Sequence, residues 1–197
     1  MLRIFRIILP MVVALCLPIS LTHASGVRGM EHVGITVPNL QNAKIFFVEK
    51  LGCKEAFQLG PFADPEGNWM RQNVGTNNKA TLKISALKCG NATNVELFEF
   101  TSPDQNENWP KREDYGATSL GFYVDDIKNL VDELKSNDVE VLGDVKLVDQ
   151  GPIAGRSWVY VRAPWGMLVF LMSEPDGIAY EKQPDALHLF SPRNLPE

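Results

Sequence analysis

Glu31-His32-Val33-Gly34-Ile35-Thr36-Val37-Pro38-Asn39-Leu40 is answered 87 residues later by Thr118-Ser119-Leu120-Gly121-Phe122-Tyr123-Val124-Asp125-Asp126-Ile127. An internal repeat of this kind decides the fold, because it says that one supersecondary unit is written twice. Each copy opens with strict alternation, placing Val33, Ile35 and Val37 on one face of the first and Leu120, Phe122 and Val124 on one face of the second. A period of two is that of a half-buried strand. Asn39 in the first copy and Asp125 or Asp126 in the second then offer helix N-caps. Apolar residues follow at helical spacing: Leu40, Ala43, Phe47 and Leu51, then Ile127, Leu130, Val131 and Leu134.

Outward from these openings, strand-like pieces bounded by Gly, Asn and Pro fall near 53–59, 80–88 and 94–100 in the first copy. In the second they fall near 139–142, 146–149, 157–162 and 167–172. The unit is therefore strand, helix and about three strands. Module one spans about 30–101, a linker containing Pro103 and Pro110 spans 102–117, and module two spans 118–173. Together they predict a single α+β domain of paired sheets over 25–173, with the helices outside. The stretch 61–78 reads as a long loop and candidate lid. From residue 174 to 197, repeated prolines predict an extended tail that wraps a partner subunit or stays loose.

Residues 1–24 read as a secretory signal peptide: Arg3 and Arg6 precede an apolar run that closes on Thr22-His23-Ala24. Pro10 and Pro18 interrupt that run, which is too short for a bilayer span. Cys16 follows Leu15, where lipid modification would want a small residue. A periplasmic or extracellular protein with no stable membrane anchor is the expectation. Without the leader the chain keeps 17 bases against 24 acids. So acidic a body is a poor partner for nucleic acid or an anionic membrane surface.

In an exported protein, Cys53 and Cys89 form an even pair without CxxC spacing, which favours a structural disulfide. If the second and third strands of module one form a hairpin, the two sulfurs lie side by side. Asn91-Ala92-Thr93 is a glycosylation acceptor in a eukaryotic host.

The repeated unit, with MEHVGITVPNLQNAKIFF opening one copy, TSLGFYVDDIKNLVDELKSNDVEVLG the other, and WVYVRAPWGMLVFLM closing the second around a Pro-x-Gly turn, resembles the vicinal oxygen chelate superfamily. That superfamily includes glyoxalase I, methylmalonyl-CoA epimerase, extradiol dioxygenases and bleomycin-resistance proteins. The resemblance implies two βαβββ modules forming a U-shaped, mostly antiparallel sheet with outer helices and a central cavity. It also implies a divalent metal such as Zn, Ni, Mn or Fe. The implied module-one ligands are His32 and Glu96, whereas the module-two equivalents are Ser119 and Phe170, so the metal site is incomplete. A catalytic ion wants at least three protein ligands, and Phe has no lone pair. The mature chain has two histidines, His32 and the tail residue His188, which argues against the two-histidine, one-carboxylate dioxygenase site. Asp114, Tyr115 or a residue of a second subunit could complete the sphere, and folds of this kind often form homodimers through their sheet edges.

Strand parity gives the inner face without the family: His32, Gly34, Thr36, Glu96, Phe98, Ser119, Gly121, Tyr123, Trp158, Tyr160, Phe170 and Met172. This is the composition of a small-molecule pocket. Glu96 is a candidate general base, its pKa expected to rise among Phe98, Phe170 and Tyr123, with His32 beside it to share the proton. The other reading is a sandwich core in which His32 and Glu96 form a satisfied pair. Glu99 should lie on the opposite face, while Arg71 and Arg156 could grip an anionic group of a ligand. Two functions fit: a protein that binds a small aromatic or carbonyl compound in its cavity, and a metal-dependent lyase, isomerase or epimerase with Glu96 as ligand or base. Ser119 and Phe170 favour binding, the preferred reading; His32 and Glu96 favour the enzyme.

Overall fold

The alternation and caps of the two repeats build matching elements in the computed structural model, which describes residues 28–195. The leader read at 1–24, with Cys16, lies outside the described residues. Module one runs β1 (His32–Thr36), α1 (Leu40–Lys44, continued by a π-helical stretch over Ile45–Lys50), β2 (Lys54–Ala63), β3 (Thr81–Lys88) and β4 (Asn94–Thr101). Module two runs β5 (Ser119–Tyr123), α2 (Ile127–Ser136), β6 (Glu140–Leu147), β7 (Ser157–Arg162) and β8 (Leu168–Ser173). Asn39 caps α1 by accepting from the Asn42 amide at 2.8 Å. Asp126, rather than Asp125, caps α2 through the Asn129 amide at 3.0 Å.

Each module forms its own four-stranded sheet, ordered β1-β4-β3-β2 and β5-β8-β7-β6. The β1–β4 and β5–β8 pairs are parallel and the others antiparallel, so the mostly antiparallel α+β fold is as expected. The repeat extends to the register. Gly34 stands opposite Glu96, and Gly121 stands opposite Phe170.

The two modules pack through their helix-covered sides. Ile35, Val37, Val95 and Leu97 of module one share one buried core with Val159, Val161, Val169 and Leu171 of module two, and residues of both helices fill it. Phe47 of the π-helical stretch lies 6.5 Å from Phe122 and 6.2 Å from Trp165, ring centre to ring centre. Lys50 donates to the Asn137 side chain at 3.1 Å, joining the ends of the two helices. The helix-covered faces of both sheets are apolar and are buried together. The opposite faces therefore turn away from the core.

Three segments depart from the sequence reading. The pieces expected near 139–142 and 146–149 are one strand, β6, whose register slips between Leu142 and Lys146 around Gly143 (φ 76°), as at a β-bulge. The stretch read as a loop at 61–78 contains the end of β2 and a π-helical turn over Met70–Val74. Met70 is fully buried against Leu82, Ile84, Phe98 and Phe100, so the turn is held by an apolar anchor. The tail folds back on module two: Ile178 is buried, and Arg193 binds the Glu174 carbonyl and the Glu181 carboxylate, both at 2.9 Å. Cys53 and Cys89 form the anticipated disulfide, closing the β2–β3 hairpin at its base.

Candidate functional site

The open face of module one is built by parity. In β1, Val33 and Ile35 face the core, so His32, Gly34 and Thr36 face outward and are exposed. In β4, Val95 and Leu97 are buried and Glu96 and Phe98 look the other way. His32 and Glu96 thereby meet: Nε2 lies 3.5 Å from Oε2, with the side chains 42% and 22% exposed. The other imidazole nitrogen, Nδ1, lies 2.6 Å from an oxygen of Glu31, a residue the sequence reading passed over. That hydrogen bond is the main reason the His32 pKa is raised above the usual imidazole value; partial burial opposes it, and the Glu96 charge adds to it. The same bond, aided by Asn94, holds the Glu31 carboxyl below its usual range. The carboxylate-imidazole-carboxylate row fixes the ring and points Nε2 at Glu96.

Across this face, the ring of Phe98 lies over Gly34, where a Cβ would collide with it. Phe57, Leu59 and Phe62 of β2 are 51%, 46% and 38% exposed. Their partners Ala86, Ile84 and Leu82 pair in turn with Glu96, Phe98 and Phe100, which puts all of them on the His32 side. Glu99 is on the helix side as expected. It accepts from the Leu40 amide at 2.6 Å and from Lys83 at 2.8 Å, and these bonds lower its pKa against the effect of burial.

Module two presents a different surface at the same positions. Phe170 occupies the place of Glu96, and Tyr160 and Trp158 continue across the sheet. The three rings form a half-exposed platform with centroid separations of 5.0, 5.6 and 5.7 Å. Arg112, from the linker, stands 4.4 Å above the Tyr160 ring and donates to its hydroxyl at 2.6 Å. Sequence reading missed Arg112; the only signal was a basic pair, Lys111-Arg112, in an otherwise acidic linker.

The structure thus groups the inner-face residues into two sets. His32, Thr36, Glu96 and Phe98 lie on one open face, and Ser119, Tyr123, Trp158, Tyr160, Phe170 and Met172 on the other. Phe170 and Tyr123 do not enclose Glu96 within one chain. A cavity of about 640 Å³ runs instead along β5, where Ser119, Tyr123 and Met172 meet the 89–95 turn of module one and the tail. Burial pushes the Tyr123 hydroxyl pKa up, and the Asp125 charge adds to the rise. Arg156 reaches this cavity but is committed to Glu174 at 2.6 Å, and Arg71 stays exposed on the Met70–Val74 turn. Asp114 is spent on the Lys111 amide, Tyr115 is fully exposed, and His188 lies in the tail.

Among the described residues no three His, Cys, Asp or Glu side chains converge on one point. One chain brings two donors together, the imidazole of His32 and the carboxylate of Glu96, against the three that a catalytic divalent ion requires. Within one chain, the donor set falls short of what a resident ion needs.

The profile of the Glyoxalase/Bleomycin resistance protein/Dioxygenase superfamily matches residues 31–160. The chain belongs to that superfamily. A relative from an Actinomyces species, named 2-epi-5-epi-valiolone epimerase, is 38% identical over 168 residues, covering 85% of this chain and 90% of the relative. Solved structures of the superfamily share the fold. A glyoxalase family protein of Bacillus cereus matches with a TM-score of 0.59 at 24% identity, covering 77% of this chain and 97% of that one. The trypanothione-dependent glyoxalase I of Leishmania major matches with a TM-score of 0.51 at 22% identity, covering 75% and 87%. Within this superfamily member, module one carries His32 and Glu96 where module two carries Ser119 and Phe170.

Proposed function

We propose that the protein is an epimerase that inverts the carbon beside the carbonyl of a polyhydroxylated cyclic ketone. The observation that carries the reading is the Glu31–His32–Glu96 row on the open face of module one. In this reading Glu96 Oε2 takes the α-proton. As the bond breaks, negative charge gathers on the carbonyl oxygen, and the Nε2–H of a protonated His32 donates to it. Glu31 favours that cation, as the raised His32 pKa records. A proton from solvent water added to the other face of the enediolate gives the epimer, and the proton taken by Glu96 returns to solvent. The epimerase named among the relatives supports the substrate class.

We further place a second copy of the chain across the site, module two of one facing module one of the other. Support comes from the open faces with Phe57, Leu59 and Phe62 exposed, and from β1 and β5, edge strands of five residues each. The disulfide supports an oxidising compartment, periplasmic or extracellular.

The test is solvent exchange. In heavy water the protein should place deuterium at the α-carbon of 2-epi-5-epi-valiolone, read by NMR, and Glu96→Gln should slow this by about a hundredfold or more. Undiminished exchange in that variant would end the proposal. The second reading, a protein that sequesters its ligand without turnover, is favoured by Phe170 in place of a donor and by the aromatic platform around it. Saturable binding with no exchange would select it.

A further inference from the structure

The row of β-partners Ser119, Leu168 and Arg162 lies one step along module two from Gly121, Phe170 and Tyr160, on the same face of the sheet. At this end of the face a pocket of about 250 Å³ is lined by Lys111, Arg112, Arg162 and the hydroxyl-bearing Thr118 and Ser119. No carboxylate is among its lining residues, in a chain whose acids outnumber its bases 24 to 19.

The cations are held in place. Trp109 packs against the β7–β8 turn at Gly166, with its side chain about 3.4 Å from where a Cβ would be, which anchors the linker to the sheet. The Asp114 carboxylate accepts from the Lys111 amide at 2.8 Å and closes the turn that presents Lys111 and Arg112. Glu140 takes the Nε edge of Arg162 at 2.9 Å. Arg112 joins the two features, lining the pocket while standing over Tyr160.

We propose that this pocket binds the phosphate of a phosphorylated cyclic polyol or sugar, whose ring stacks on Trp158 and Phe170 beside the Tyr160 ring that Arg112 covers. Guanidinium and ammonium groups beside two hydroxyls are suited to a dianionic oxyanion, and flat half-exposed rings to the apolar face of a sugar-like ring. The inference deepens the reading above by naming the group through which module two holds the substrate.

The probes are inorganic phosphate, glucose 6-phosphate and glucose, titrated into the full chain by calorimetry and followed by fluorescence of Trp109, which lines the pocket, and of Trp158 on the ring platform. Saturable binding of phosphate, tighter binding of glucose 6-phosphate, and binding of glucose weaker than either are expected. Arg112→Met and, separately, Lys111→Met should each weaken binding about tenfold, with circular dichroism unchanged. The proposal is overturned if phosphate does not bind saturably or if both cation variants bind as the parent does. Phosphate bound as tightly as glucose 6-phosphate would also overturn it, since free anion would then be the ligand. Absence of α-carbon exchange in the unaltered protein, with phosphate still bound, would remove the epimerase reading and leave this site standing.

Discussion

Reduction of the Cys53–Cys89 bond should cost this protein about 3.8 kcal/mol. The two residues are 36 positions apart, and the chain-entropy relation for a loop of that length gives this value at 25 °C. The bond joins the end of the helical stretch to the end of β3, and Cys53 is 2% exposed with its amide donating to the Phe47 carbonyl at 3.0 Å. Reduction leaves both sulfur atoms in the protein, so the native packing changes little and the effect falls on the unfolded chain. In urea, with a slope of about 2 kcal/mol per molar, the unfolding midpoint should drop by about 2 M on adding reductant. The Cys53→Ala, Cys89→Ala double variant should fall further, because it also empties buried volume. Coincident fluorescence and circular dichroism transitions would show that one cooperative unit is being measured. A midpoint shift below about 0.5 M would refute the reasoning, since the loop would then already be closed in the unfolded state.

Three other outcomes follow from the site and its surroundings. His32 is charged more readily when folded, so its contribution to stability is fully present below the unfolded imidazole pKa and is lost as pH rises through the raised folded value. The matching contribution of Glu31 is present above its unfolded pKa and is lost as pH falls through the lowered one. NMR titration of His32 should therefore show its midpoint falling in Glu31→Gln, and an unmoved midpoint would contradict the hydrogen-bond assignment. Gly34→Ala should cost about 1 to 3 kcal/mol in urea unfolding, because the new methyl displaces the Phe98 ring. Glu174→Gln, removing a 4% exposed carboxylate that Arg156 contacts at 2.6 Å and Arg193 at 3.7 Å, should destabilise by about 3 kcal/mol and expose the tail to limited proteolysis.

Much of the site was legible because strand parity is local. His32 and Glu96 emerge on one face from the alternation of Val33, Ile35, Val95 and Leu97, and Phe170 falls opposite Gly121 as the repeat requires. Glu31 was not legible: its side chain reaches His32 by a rotamer that no period records. Arg112 lies in the linker, outside either repeat, and reaches Tyr160, 48 residues away.

The sequence by itself determined the two βαβββ modules, their caps, the pairing of Cys53 with Cys89 and the division of each strand into a core face and an open face. All of these rest on interactions between residues close in the chain, or within one hairpin, where spacing is information enough. Tertiary structure decided which apolar face meets which. Both modules carry an apolar helix-covered side and a half-apolar open side, and the pattern of hydrophobic residues is the same whether the open sides face each other or turn apart. Burial of Phe46, Phe47 and Trp165 between the modules selects the second arrangement. That leaves the donor pair on one surface of the chain and the aromatic platform with its cations on another.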